Sequence, residues 1–218
     1  MLSQRSDALL AVAWLACLVA FVALAFYVAS RGGPGPDLDG VRAVQHAPAA
    51  LGDVFDFVNR VGYGSPLTLV TAVAMIGFCL RRRPLEAVLL LMTVPPRIFN
   101  SWAKEIVEAP RPAPDLVQVR HLVEGYAYPS GHVVSTTMVF VLLFAFAGRL
   151  GLGRLPTLAI QGVAVFMVVS VSFARVWAGA HWPSDCIGGY LFAALFLIPI
   201  LRLHAGLSSR GEPSPTSA

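Results

Sequence analysis

The sequence predicts an all-α integral membrane protein, a bundle of six transmembrane helices, on three observations. The chain is 56% hydrophobic and only 13% charged, against about 25% charged residues in soluble domains. Its mean hydropathy is +0.70. Its apolar residues gather in six runs, at roughly 8–30, 65–80, 85–100, 133–150, 156–173 and 186–203. Runs of this length cross, or nearly cross, a hydrocarbon layer of about 30 Å as helices. Alternating apolar and polar strands are absent, so helices rather than a barrel must satisfy the backbone.

The first run follows Arg5 and exceeds the 7–15 residues of a secretory signal's apolar region, so it is read as a retained helix. Behind it, Arg31-Gly32-Gly33-Pro34-Gly35-Pro36 is a cluster of helix breakers and is expected to be loop. Residues 41–62 mix Val54, Phe55, Val58 and Val61 at helical spacing with Asp53, Asp56 and Arg60, the pattern of an interfacial amphipathic helix. Pro95-Pro96 should kink or end the third run. Residues 1–205 form one domain in this reading. The Ser-, Pro- and Gly-rich stretch 206–218 is expected to be a disordered tail.

Charge and cysteines exclude some classes. A net charge of +4 invites a nucleic-acid reading, but the basic residues follow membrane topology better. With both termini in the cytoplasm, the short inner loops carry Arg81, Arg82, Arg83, Arg149 and Arg154 with few acids. The loops 31–64, 100–132 and 174–185 then face outward. Cys17, Cys79 and Cys186 match no metal spacing and no disulfide framework, and read as small core residues. The Arg-over-Lys and Ala-rich bias fits a high-GC bacterial genome, and the expected location is the bacterial plasma membrane.

Three polar clusters stand at the outward ends of the apolar runs, where such groups are costly and usually functional. The first is Lys104 with Arg111-Pro112. Lys104 is the sole lysine beside 15 arginines, a compact ammonium suited to a point contact with an anion. Seven residues at about 100° each return to nearly the same helix face, so Lys104 and Arg111 are expected on one face, with Arg97 extending the row. Alone, these would equally serve as snorkelling cations. The second is Pro129-Ser130-Gly131-His132, read as opening a helix with Pro129 in its first turn. Free N–H groups and the helix dipole there favour an anion, and His132 exchanges protons near neutrality. The third is Arg175, His181 and Asp185. Pro183 marks a helix start that brings Asp185 within reach of His181, where a carboxylate fixes the tautomer and frees the other nitrogen as nucleophile or base. Alone, Asp185 would equally be a dipole-compensating residue.

Together the clusters supply three cations, N–H donors, two histidines and one carboxylate. That set is suited to phosphoryl transfer, with no metal cage and no nucleotide loop. The pattern Lys104-x6-Arg111-Pro112, Pro129-Ser130-Gly131-His132, Arg175-x5-His181-x3-Asp185 resembles the type 2 phosphatidic acid phosphatase superfamily of membrane lipid phosphatases. The resemblance spans residues 104–185, and the first two helices match it only in hydropathy. Ala174 departs from it, standing where the family pattern has Ser.

The resemblance implies that His181 attacks phosphorus to give a phosphohistidine and that Asp185 stabilises its imidazolium. His132 would protonate the leaving oxygen and then activate water. Lys104, Arg111, Ser130, Gly131 and Arg175 would bind the phosphate, with no metal and no cofactor. The expected partners are the bilayer and a lipid phosphate or diphosphate, most of all undecaprenyl diphosphate, with Arg97 compatible with the extra charge of a diphosphate. A phosphatidic acid or phosphatidylglycerophosphate phosphatase and a lipid phosphotransferase share the same catalytic residues. A small lipid transporter would need polar residues at mid-membrane depth, and the apolar runs hold almost none.

Overall fold

The computed structural model of the chain describes residues 2–30, 35–48 and 50–210, and those residues contain no strand. The helices are α1 (Leu2–Ser30), α2 (Gly35–Gln45), α3 (Ala50–Val61), α4 (Gly64–Leu80) and α5 (Pro84–Leu91). They continue with α6 (Val94–Val107), α7 (Gly131–Phe146), α8 (Arg154–Trp177) and α9 (Pro183–Arg210), and a 3₁₀ turn, Ala147–Leu150, follows α7.

Helix α7 is the axis of the bundle. Eleven of its residues, from Val133 to Phe146, are buried, as expected of a helix apolar on all sides. It packs on α8 and α9, with α6 and α4 on its remaining sides. Outward-facing apolar side chains such as Leu9, Val12, Leu15 and Phe26 on α1 are exposed. In water so large an apolar surface would drive association, whereas lipid solvates it.

Four helices are long and apolar enough to cross a membrane: α1, α7, α8 and α9. A fifth is gained if α3 and α4, bent by 67° at their joint, count as one span. Six spans are not confirmed. The run 85–100 does not form one helix, because Pro95 and Pro96 lack the N–H groups needed to continue α5. The chain turns at Met92-Thr93 and restarts as α6 with proline in its first turn. Eight residues of α5 reach only about 12 Å, too short to span.

The stretch 41–62 forms the end of α2 and then α3, whose Phe55 and Val58 are buried while Asp56 and Arg60 are exposed. Residues 31–34 of the breaker cluster lie outside the described residues, and Gly35-Pro36 opens α2 instead of a loop, since proline suits a first turn. Helix α9 runs past Gly206 to Arg210, and residues 211–218 of the expected tail lie outside the described residues. All three cysteines are free, but only Cys186 is a core residue; Cys79 is exposed on α4.

Helix α1 is built into the bundle through α9. Pro199 interrupts the hydrogen-bond ladder of α9 and leaves the carbonyl of Leu195 without its i+4 donor. The Trp14 indole N–H of α1 donates to that carbonyl at 2.8 Å. Near the other end of α1, the Tyr128 hydroxyl donates to the Phe21 carbonyl at 2.8 Å.

Candidate active site

The site is built where α6 ends and α7 and α9 begin. Helix α6 is two-faced. Ile98, Phe99, Trp102 and Ile106 are exposed, while Arg97, Asn100 and Lys104, three and four residues apart, share the inward face. The helix stops at Glu108, whose left-handed backbone (φ 52°) ends it. Pro110 and Pro112 then prevent its renewal. Arg111 is therefore in a loop, not on the face of α6 that spacing predicted.

Arg111 and Lys104 nevertheless converge through another route. The Lys104 ammonium donates to the carbonyls of Tyr126 (2.5 Å) and Ala127 (3.2 Å). Arg111 donates to the same Tyr126 carbonyl at 3.1 Å and to Gly125 at 2.9 Å. Its Nη1 reaches across to the Ala180 carbonyl at 2.7 Å and lies 3.3 Å from His181 Nε2. One guanidinium thus joins the α6–α7 and α8–α9 connections. Burial, reinforced by the positive charge of Arg111, lowers the Lys104 pKa to about 8.

Pro129 sits before α7 in a cis peptide with Tyr128, not in the helix's first turn. Ser130 is the N-cap, Gly131 the first helical residue and His132 the second. Asn100 donates to the Pro129 carbonyl at 3.2 Å. A Cβ at Gly131 would lie 3.1 Å from Asn100 Oδ1, so glycine allows α6 its close approach. The His132 ring stacks on Tyr63, with centroids 4.3 Å apart and planes 19° from parallel.

His181 lies in the connection between α8 and α9 and is 2% exposed. Gly179, two residues earlier, turns this connection with φ +67°. Asp185 is in the first turn of α9, as Pro183 predicted. Its Oδ2 stands 3.5 Å from His181 Nδ1 and accepts the Trp182 N–H at 2.8 Å. Its backbone carbonyl accepts the Ser130 N–H at 3.0 Å, tying the start of α9 to the start of α7. With Nδ1 turned to the carboxylate, Nε2 faces Arg111. Burial first, then Arg175, Arg111, Lys104 and His132, lower the His181 pKa well below its usual value. The imidazole is accordingly neutral at physiological pH, the form with a lone pair free on one ring nitrogen.

Three buried donors of the predicted set lack a hydrogen-bond partner among the described residues: Ser130 Oγ, Arg175 Nε and His181 Nδ1, the last facing Asp185 Oδ2 at 3.5 Å. Thr137 Oγ1, further along α7, is a fourth such atom outside it. Such atoms cost about 1–3 kcal/mol each if nothing satisfies them, which is reasonable where a ligand is to be held. Among the described residues no three of His, Cys, Asp and Glu gather as metal ligands.

Three supporting residues had no signal in the sequence. Asn59 of α3 accepts from Arg175 Nη1 at 3.1 Å and donates to the Ala174 carbonyl at 3.2 Å. Asp37 of α2 accepts the Ser184 N–H (2.9 Å) and hydroxyl (2.6 Å), capping α9 from outside. Tyr63, at the α3–α4 joint, supports His132. Their partners lie far along the chain, so no local spacing marks them.

Comparison with known proteins identifies the family and the fold. The PAP2 superfamily model matches residues 85–208. An undecaprenyl-diphosphatase of Sulfolobus acidocaldarius is 27% identical over 191 residues, covering 83% of this chain and 85% of that protein. Phosphatidylglycerophosphatase B of Bacillus subtilis is 25% identical over 151 residues, covering 66% and 71%. The fold matches the crystal structure of a transmembrane PAP2-type phosphatidylglycerolphosphate phosphatase from Bacillus subtilis. That match has a TM-score of 0.76 at 21% identity and covers 91% of this chain and 97% of that one. The chain, an integral membrane protein by its apolar helices, belongs to the PAP2 superfamily.

Proposed function

We propose that the protein is a metal-independent lipid phosphatase that removes the terminal phosphate of undecaprenyl diphosphate through a phosphohistidine. The observation that carries this reading is the buried His181, with Asp185 Oδ2 3.5 Å from its Nδ1 and Arg111 Nη1 3.3 Å from its Nε2, beside Lys104 on the same Tyr126 carbonyl as Arg111. The likeness to an undecaprenyl-diphosphatase, over 83% of this chain and 85% of that protein, supports the choice of lipid.

Lys104, Arg111, Arg175, Ser130 Oγ and the Gly131 N–H would hold the phosphate oxygens. His181 Nε2 attacks phosphorus while the bond to the leaving oxygen breaks, and protonated His132 gives its proton to that oxygen. Asp185 stabilises the positive imidazole ring. Neutral His132 then takes a proton from water, whose oxygen attacks phosphorus. The P–N bond breaks, orthophosphate leaves, and His181 is restored. Fixed cations around a reorganising phosphoryl group are the main source of rate in such reactions.

In this proposal the site lies at the periplasmic or exterior surface of a bacterial plasma membrane, with both termini in the cytoplasm. The basic turn Arg81–Arg83 belongs to the opposite end, where Arg81 donates to the carbonyls of Leu150 and Gly151. A tail in the bilayer and a head group in the cradle suit this position.

A phosphatidylglycerophosphate phosphatase is the second reading, favoured by the Bacillus subtilis enzyme. The deciding experiment is phosphate release from purified undecaprenyl diphosphate, phosphatidylglycerophosphate and phosphatidic acid in detergent, by wild type and His181→Ala. The expected result is preference for the diphosphate, loss of activity and of phosphoenzyme in His181→Ala, inhibition by vanadate and full activity in a chelator. Activity surviving in His181→Ala overturns the mechanism, and activity lost on chelation overturns metal independence. Phosphate passed to an added lipid acceptor rather than water would make the protein a phosphotransferase.

A further inference from the structure

Arg97 is a charge that the hydrolysis of a simple phosphate does not use. It lies on the inward face of α6, seven residues before Lys104 and so about 10 Å from it along the helix. Its Nε donates to the buried Ser135 hydroxyl of α7 at 3.2 Å. Its guanidinium carbon stands 5.5 Å from the centre of the Tyr63 ring, the ring that stacks on His132. Among the described residues it has no ion-pair partner. An arginine among membrane helices without a carboxylate is expensive and points to a ligand that brings the counter-charge.

Its position says which part of the ligand. The contacts of Lys104 with Ala127 and of Arg97 with Ser135 run α6 and α7 in opposite directions. Going from Lys104 to Arg97 on α6, or from Ser130 to Ser135 on α7, leads away from the phosphate cradle into the bundle. Ser135 is one turn beyond His132 on α7, and His132 is the group proposed to protonate the leaving oxygen. Arg97 therefore stands beyond the acid, on the side from which the lipid tail must come.

We propose that Arg97, with Ser135 and the Tyr63 ring, forms a second anion subsite that holds the lipid-linked phosphate of a diphosphate substrate. The inference rests on the phosphatase reading above and adds the reason a diphosphate is preferred to a monophosphate. The bond that breaks joins the terminal phosphorus to the bridging oxygen, and His132 supplies that oxygen's proton. The lipid monophosphate then leaves with its charge against Arg97. The planar guanidinium is suited to a two-point contact with phosphate, and the Ser135 hydroxyl, which accepts from Arg97, retains its own proton to donate.

The test compares farnesyl diphosphate with farnesyl phosphate, so that the tail is constant, for wild type, Arg97→Gln and Arg97→Lys in detergent. The ratio of kcat/KM for diphosphate over monophosphate should fall about 10- to 100-fold in Arg97→Gln, the range of a lost charged hydrogen bond. It should fall less in Arg97→Lys, which keeps the charge and loses the fork. An equal loss on both substrates, or an unchanged ratio, overturns the subsite. Binding of inorganic pyrophosphate and orthophosphate to the purified protein reads the subsite without turnover. Arg97→Gln should weaken pyrophosphate more than orthophosphate, and equal weakening counts against it. Wild-type protein inactive on every lipid phosphate would overturn the phosphatase reading, a failure separable from the pyrophosphate result.

Discussion

Lys104 makes the phosphatase reading sensitive to pH in a direction that can be worked out. Burial and the neighbouring Arg111 bring its pKa from an ordinary value near 10.5 to about 8. In the free protein, the ammonium that should receive the phosphate is thus lost as pH rises through about 8. A phosphate ester has its second pKa near 6, so the substrate's own charge is constant in that range. The kcat/KM, which reports the free enzyme, should fall about tenfold for each pH unit above 8. A bound phosphate favours the charged amine, so kcat should decline at higher pH than kcat/KM. Unfolding is not a rival explanation. The unfolded chain binds more protons than the folded one between about pH 8 and 10.4, so through Lys104 the fold gains stability as pH rises there. Lys104→Arg, charged throughout, should move the alkaline limb beyond the accessible range. Lys104→Gln should lose about 10²- to 10³-fold at neutral pH and show no limb at 8. The assay is phosphate release over about pH 6–10 at limiting and saturating lipid. A wild-type limb near 8 persisting in both variants would refute the assignment.

Other substitutions follow from the same contacts. Asp185→Asn keeps an oxygen for the Trp182 N–H but removes the charge behind the imidazolium, and should cost on the order of 10³- to 10⁴-fold in kcat, read by single-turnover phosphate release. Asn59→Ala removes the acceptor of Arg175 Nη1 and should lower kcat/KM about tenfold, mostly through KM for the lipid; an unchanged KM would show that Arg175 needs no such support. Gly179→Ala forces a side chain into left-handed backbone, with its Cβ 2.2 Å from the Gln118 carbonyl. It should cost at least 1–3 kcal/mol of stability, with a visibly lower melting temperature and a loss of activity from the displaced His181.

What the sequence disclosed follows the range of each signal. Long apolar runs fixed α1, α7, α8 and α9, because lipid leaves a helix no other way to satisfy its backbone. The run 85–100 misled because hydropathy averages over the residues that break a helix: Pro95 and Pro96, expected to kink or end the run, lie in the first turn of a new helix. Helical spacing placed Arg111 on the face of Lys104. Spacing carries that meaning only while the helix lasts, and this one ends at Val107. The two cations meet through the Tyr126 carbonyl instead, an acceptor that no side-chain pattern could report.

The candidate site divides in the same way. The residues proposed to hold the terminal phosphate all lie between Lys104 and Asp185, each near a helix end or proline that makes a short, readable motif. Supporting contacts come from the N-terminal helices, three of them across more than 100 residues: Asp37 on Ser184, Asn59 on Arg175, the Phe21 carbonyl on Tyr128. A single Asn or Asp on an amphipathic helix reads as a solvated face until its partner is located. Ala174 shows why this matters. The motif alone marks only a missing hydroxyl beside Arg175. In the fold, Asn59 accepts from the Arg175 guanidinium and donates to the Ala174 carbonyl, so a side chain of α3 orients that cation.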